Sequence, residues 1–306
     1  MTITDPLRPS SLDEAVVATV AYSDIFDMPI EVTRLRTFLI GMSASGEEIV
    51  DALDRLVDEG RLEMSSGLAH LPGRSGVLPI HAERVARAEM MWCEAARWGA
   101  RLGRLPFVRS IAVTGGLACD SVADHDDIDY LVITEPGRLW TARALCVGMV
   151  HLGRLRHVDL CPNYLVAIDS LALDEQTSYT ARELAQMVDI VGAEFLDEMR
   201  VANDWLLKHL PNAQLFGEGA RLTRTRVGPV RRLAEALLGL SIFDRFETWE
   251  MNRKIEKLKG VVSRREEVAK PDESSFSPSV CKGHMVGNAA GIEVAWRDRL
   301  RRNGAL

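Results

Sequence analysis

Apolar and polar positions change period several times along the chain, and those changes outline its elements. Ser11-Leu-Asp-Glu14 has the spacing of a helix start, with Ser11 as N-cap and Glu14 three residues on, and predicts a helix to about Ser23. Pro29 marks a turn before a second short helix that reaches about Ile40. Ile49, Leu53, Leu56 and Val57 then fall on one face of an amphipathic segment that Gly60 closes. RLEMSSGLAHLPG, centred on Gly67, reads as two short extended pieces in a hairpin.

Val77-Leu-Pro-Ile80 is expected to be a linker, followed by a long helix from about His81 to Leu105 that carries Trp92 and Trp98 and stops at Pro106. The stretch Ile111–Thr134 comes next. An apolar strand, Ile111-Ala-Val-Thr, runs into Gly115-Gly116, and after a loop rich in acids a second strand opens with Asp127-Ile-Asp129 and continues through Tyr130, Leu131, Val132 and Ile133. Beyond it, Pro136 lies near a helix start, and Leu139, Ala142, Leu145 and Met149 form an apolar face. His157–Ala167 is extended, with Pro162 inside it arguing for an edge position or a bulge. Helices are expected over Thr180–Val188 and Ala193–His209, the second ended by Pro211-Asn212. The remainder reads as helical, over Pro229 to about Leu258 and again from Ala289 to Arg302 with Ile292, Ala295, Trp296 and Leu300 inward. Between these helices, VAKPDESSFSPSV is a polar loop.

Three helices and a hairpin between Ser11 and Arg74 form a winged-helix pattern, which raises the question of DNA. Charge argues against it. Twelve acids face five bases over that stretch, a net −7, and the helix that would enter a groove is itself acidic. Since phosphate neutralisation supplies most of the affinity for DNA, the unit is expected to pack on its own chain or on a protein partner, with duplex DNA unlikely as a ligand. From Arg221 to Leu306 the balance reverses, to eighteen bases against eleven acids. The whole chain of 306 residues carries −7, so it is no generic nucleic-acid binder.

Five cysteines (Cys93, Cys119, Cys146, Cys161, Cys281) lie scattered without metal-ligand spacing, as suits free thiols in a reducing compartment. No secretory signal and no run of the roughly 18 apolar residues that a membrane span needs is present, so a cytoplasmic location is expected.

The chemistry concentrates at Asp127 and Asp129. Side chains alternate along a strand, so these two carboxylates share one face, while Ile128 enters the other layer. Gly115 and Gly116 allow close approach of a ligand to backbone N–H groups. Gly-Gly, ten residues, then Asp-hydrophobic-Asp resembles the signature of the DNA polymerase beta-like nucleotidyltransferase superfamily. The helix–strand–strand–helix–strand order over about 85–170 agrees with it. The resemblance implies an α/β (α+β) chain in which a small mixed-sheet nucleotidyltransferase domain (80–212) is flanked by the winged helix (1–75) and a helical C-terminal region (213–306).

It also implies transfer of a nucleoside monophosphate from an NTP to an acceptor hydroxyl, with Mg²⁺, two ions in the active complex, held by Asp127 and Asp129. A third carboxylate usually arrives from a later strand. Asp159, between Val158 and Leu160 in an apolar run, is the expected one, as metal ligand or as general base for the acceptor. Gly115 and Gly116 would seat the triphosphate. Gly116 stands where many relatives carry Ser, so no hydroxyl is offered there. Lys282, in Cys281-Lys-Gly-His284, could neutralise triphosphate charge and His284 approach the acceptor, against the plainer reading of a surface Lys and a capping His. Asn163 and Tyr164 have either a base- or sugar-contacting role or a packing one, and Asp124, His125 and Asp126 read as solvated or supporting. The acceptor, whether a small molecule, a protein or an RNA end, is not legible. Two other classes stay open: a nucleotide-binding regulatory module without catalysis, and a transcription regulator, which the acidic helix disfavours.

Overall fold

The computed structural model describes residues 9–213, 228–262, 275–282 and 288–303. Two sheets and twelve helices make up this mixed α/β part. The first sheet belongs to the N-terminal stretch: α1 (Leu12–Asp24), β1 (Ile30–Glu31), α2 (Val32–Thr37), α3 (Gly46–Asp58), β2 (Glu63–Ser65) and β3 (Leu68–His70), with strand order β1-β3-β2. Ser11 caps α1 by accepting from the Glu14 N–H at 3.3 Å, while the Glu14 carboxylate turns to Ser10. Ser45 and Glu48 form a reciprocal capping box on α3, which buries Ile49, Ala52, Leu53 and Leu56. Val57, expected on that face, is exposed.

The linker expected at Val77–Ile80 is instead the first turn of α4 (Val77–Leu102), with Pro79 in a turn whose N–H groups have no intrahelical acceptor. The larger sheet follows, in the order β7-β4-β5-β6-β9-β8. β4 (Val108–Val113) leads through the short α5 (Gly115–Ala118) into β5 (Ile128–Thr134), its antiparallel neighbour. The α6 helix (Leu139–Arg154) crosses to β6 (Leu160–Ala167), which is parallel to β5. α7 (Ser178–Gln186), β7 (Val188–Val191), α8 (Ala193–Ala202) and α9 (Leu206–His209) follow. β7 corrects the sequence reading, in which Val188 ended a helix; four residues are too few to show a strand period. The single helix expected over Ala193–His209 is broken between α8 and α9, where buried Asn203 donates to the Leu171 and Met199 carbonyls.

α10 (Pro229–Leu238) is tied to the start of β4, where Glu235 accepts from the Phe107 N–H and from Arg109, and α11 (Asp244–Val262) packs beside α6, whose first-turn N–H groups, on Trp140 and Thr141, both donate to Glu247. The C-terminal part is not wholly helical. β8 (Ser275–Phe276) and β9 (Val280–Lys282) extend the sheet beyond β6, so β6 is an internal strand, and α12 (Asn288–Arg302) closes the chain. Pro162 sits at a bulge: the pairing steps from Tyr130–Pro162 to Leu131–Tyr164 and leaves Asn163 unmatched.

One face of the sheet, through Ala112, Leu131, Ile133 and Val166, joins α7, α8 and the N-terminal helices in a single apolar core. The other face, through Ile111, Val113, Ile128, Tyr130 and Val132, packs with α4 and α6. The N-terminal unit is thus held on its own chain. Trp296 of α12 donates to the Ala18 carbonyl at 2.9 Å, and Arg74 and Arg299 both bind Asp24. No described helix is long and apolar enough to cross a membrane.

Candidate functional site

The site begins where β4 ends. The Thr114 N–H donates to the Asp129 carbonyl at 3.0 Å, which prolongs the β4–β5 ladder by one rung, and the chain then turns at Gly115 with φ +66°. A Cβ on Gly115 would lie 2.5 Å from Asp129 Oδ2, so the carboxylate rests against the bare backbone. Gly116 is closed as well, since its Cβ would lie 2.6 Å from the Ser121 carbonyl oxygen. This accounts for glycine at this position.

The loop acids around the turn are mostly engaged. Asp126 accepts from the Ala123 N–H at 2.7 Å, Asp124 pairs with Arg87 at 2.9 Å, and Asp120 accepts from the Trp92 indole. His125 is exposed at φ +65°. These side chains shape the loop that delivers Asp127.

Asp127 and Asp129 come together with Cys161, their ligand atoms all within 4.8 Å of one another. The parallel register sets Asp129 beside Cys161, so both project from the same face at the start of their strands. Asn163, thrown out of register by the bulge, donates from Nδ2 to Asp129 Oδ1 at 2.7 Å. Burial pushes the Asp129 carboxyl up to about 7, with the neighbouring Asp127 charge adding to the effect. Burial, then Asp129 and Asp127, also raises the Cys161 thiol, so sulfur is held protonated here.

Asp159 does not join them. It lies one residue outside β6, its side chain 71% exposed and 3.8 Å from Arg154, and its carbonyl accepts from the Ile128 N–H. The expected third carboxylate is therefore displaced from the cluster by Cys161. Lys282 lies on β9 opposite Tyr164 and pairs with Glu175 at 2.8 Å; Gly283 and His284 are outside the described residues.

Sequence reasoning missed Cys161 and Glu183. A bulge at Pro162 was legible, but which side chain it would redirect was not, and nothing local marked Glu183, on α7, as facing the sheet. Thr114, Asn163, Tyr164, Glu183 and Lys282 all line one cavity of about 220 Å³.

The donor chemistry admits a hard divalent cation. Two carboxylates sharing a face suit Mg²⁺, which takes few protein oxygens and fills its octahedron with water and phosphate. A thiol is a soft donor that a hard ion such as Mg²⁺ disfavours, so Asp127 and Asp129 are the oxygen donors this cluster offers it.

No protein-family model, curated protein or solved structure matches the chain.

Proposed function

We propose that this chain is a divalent-metal-dependent nucleotidyltransferase. The observation that carries the reading is the packing of Asp129 against Gly115, with Asp127 beside it and a cavity on the same face. The strand order around the pair, antiparallel β4–β5 and parallel β5–β6, supports the superfamily resemblance, and the N-terminal helices with their small sheet support a winged helix. That unit has its acidic α3 surface in solvent and its apolar surface in the chain's own core, which favours a packing role over contact with duplex DNA.

In the reaction, an acceptor hydroxyl oxygen bonds to the α-phosphorus of an NTP, the bond to the bridging oxygen breaks, and pyrophosphate leaves with the electron pair as the hydroxyl proton is released. Asp127 and Asp129 would hold Mg²⁺, which when bound would supply charge neutralisation on the phosphates. The protein's own contribution is position. Asn163 holds the Asp129 carboxylate from one side, and the turn at Gly115 holds it from the other.

Incubating the full chain with Mg²⁺, the four NTPs and a panel of hydroxylated acceptors tests the reading. Pyrophosphate release should occur and should vanish in Asp127→Ala and in Asp129→Ala. Release that is unchanged in both variants refutes it. A second reading, a nucleotide-binding module without catalysis, is favoured by one observation, the thiol at the place of a third carboxylate. It predicts Mg-NTP binding by calorimetry with no pyrophosphate released.

A further inference from the structure

The cavity beside the aspartate pair has a composition that selects among acceptors. Its floor is a row across three strands, Leu131 of β5, Tyr164 of β6 and Lys282 of β9, joined by the sheet register. Leu131 follows Asp129 by two residues, so the floor and the aspartate pair share one face. Thr114 and Asn163, each hydrogen-bonded to Asp129, are also part of the lining, so the cavity reaches the metal-binding end of β5. The opposite wall is α7 with the turn at 170–175.

Among the described residues, three acids, Asp174, Glu175 and Glu183, line this space with one base, Lys282. That base is already paired to Glu175. Two carboxylates then remain for whatever enters, and a phosphorylated or otherwise anionic acceptor would meet repulsion where it must dock. Glu183 is held by Gln186, which donates to it at 2.5 Å, and burial raises its carboxyl to about 7 against the opposing pull of Arg182 and Lys282. Among the described ion pairs none involves Glu183, since Lys282 pairs with Glu175. Tyr164 and Tyr179 add aromatic side chains to the lining. At about 220 Å³ the space suits a molecule smaller than a drug-sized ligand.

We propose that this cavity seats the acceptor, and that the acceptor is a small hydroxylated cation whose ammonium group is met by the carboxylates of Asp174 and Glu183. The word acceptor rests on the transferase reading of Asp127 and Asp129; the preference for a cation rests on the cavity alone. An RNA end, with a phosphate at every step, and a bulky protein segment are the alternatives this excludes.

Two methionines in the lining, Met187 and Met199, provide a local probe. The full chain, labelled with ¹³C at the methionine methyls and supplied with Mg²⁺ but no NTP at pH 8, is titrated with ethanolamine, choline and glucosamine. Glycerol and glucose serve as neutral counterparts, and glycerol phosphate and glucose 6-phosphate as anionic ones. The cations should shift the Met187 and Met199 signals, and the neutral compounds should bind about tenfold more weakly, the scale of one charge-assisted contact. The anions should leave the signals in place. Glu183→Gln keeps the shape of the side chain and should weaken cation binding about tenfold. Asp174→Asn, on the exposed turn, gives an independent check should Glu183→Gln disturb α7.

Anions that shift these signals as strongly as cations, or a panel in which no cation shifts them, overturn the proposal. The two readings fail separately. Cation binding without pyrophosphate release under any condition would sink the transferase reading and leave the cavity's preference standing. Release that requires a neutral or anionic acceptor would do the reverse.

Discussion

Replacing Gly115 by alanine separates two costs that usually arrive together. Gly115 sits at φ +66°, a left-handed conformation, and its missing Cβ is the space into which Asp129 Oδ2 fits at 2.5 Å. Gly137 has nearly the same backbone, φ +69°, with nothing within 4 Å of the Cβ position. Gly137→Ala should therefore report conformation alone: about 1–2 kcal/mol of left-handed strain, less about 0.4–1 kcal/mol returned by a stiffer unfolded chain, or roughly 1 kcal/mol net. Gly115→Ala carries the same term and adds a contact shorter than any real Cβ makes, so Asp129 must move, at an added cost of about 1–3 kcal/mol, typical of an overfilled site. Urea unfolding of both variants gives the two stabilities, and Mn²⁺ titration gives the metal affinity. The expected result is a larger loss for Gly115→Ala together with metal binding weakened about tenfold or more, while Gly137→Ala binds metal as the parent does. Equal stability losses with equal metal affinity would refute the claim that Gly115 is glycine for the sake of the Asp129 carboxylate.

Four further outcomes are expected. Because burial holds the Asp129 carboxyl near 7 and a metal requires the deprotonated form, Mn²⁺ affinity should fall about tenfold per unit as pH drops below 7 and level off above it; a flat calorimetric profile from pH 5 to 8 would contradict this. The sign reverses for the metal-free protein: the folded value lies above the ordinary 3.8, so this group's stabilising contribution is complete below that value and disappears as pH rises through 7, and urea unfolding with and without metal should show the two trends crossing. Asp159→Ala should leave Mn²⁺ affinity within about twofold of the parent, since the side chain is exposed and meets only Arg154 among the described ion pairs; a loss as large as that of Asp127→Ala would bring Asp159 back as a ligand. Arg200 and Asp189 form a two-pronged ion pair at 2.6 and 3.2 Å with both side chains only 2% exposed, so Arg200→Met should cost about 3–5 kcal/mol in urea unfolding by stranding a buried charge, and Asp189→Leu added to it should recover much of that.

What the sequence disclosed and what it concealed divide along one physical line. The helix start at Ser11, the hairpin at Gly67 and the Asp127–Asp129 face all depend on spacing within a single segment, and each stands where its spacing put it. Asp159, Cys161 and Glu183 depend instead on how segments meet. Choosing Asp159 required knowing where β6 begins and which of its residues stands next to Asp129. The strand begins at Leu160, one residue later than that choice needed, and the register puts Cys161 beside Asp129. Alternation cannot separate Asp159 from Cys161, which are two residues apart and of the same parity; what separates them is the strand start, which leaves Asp159 outside β6 with its side chain in solvent. The same reasoning applies to β8 and β9, which are too short to carry a period and gain their meaning from β6, whose other edge they cover. Lys282 illustrates the consequence: met as one cation in a polar run, it suggested a partner for triphosphate, but pairing with β6 places it opposite Tyr164, and Glu175 takes up its charge. A lysine engaged in this way completes the wall of an acid-rich cavity, and the substrate preference follows from the two carboxylates it leaves over.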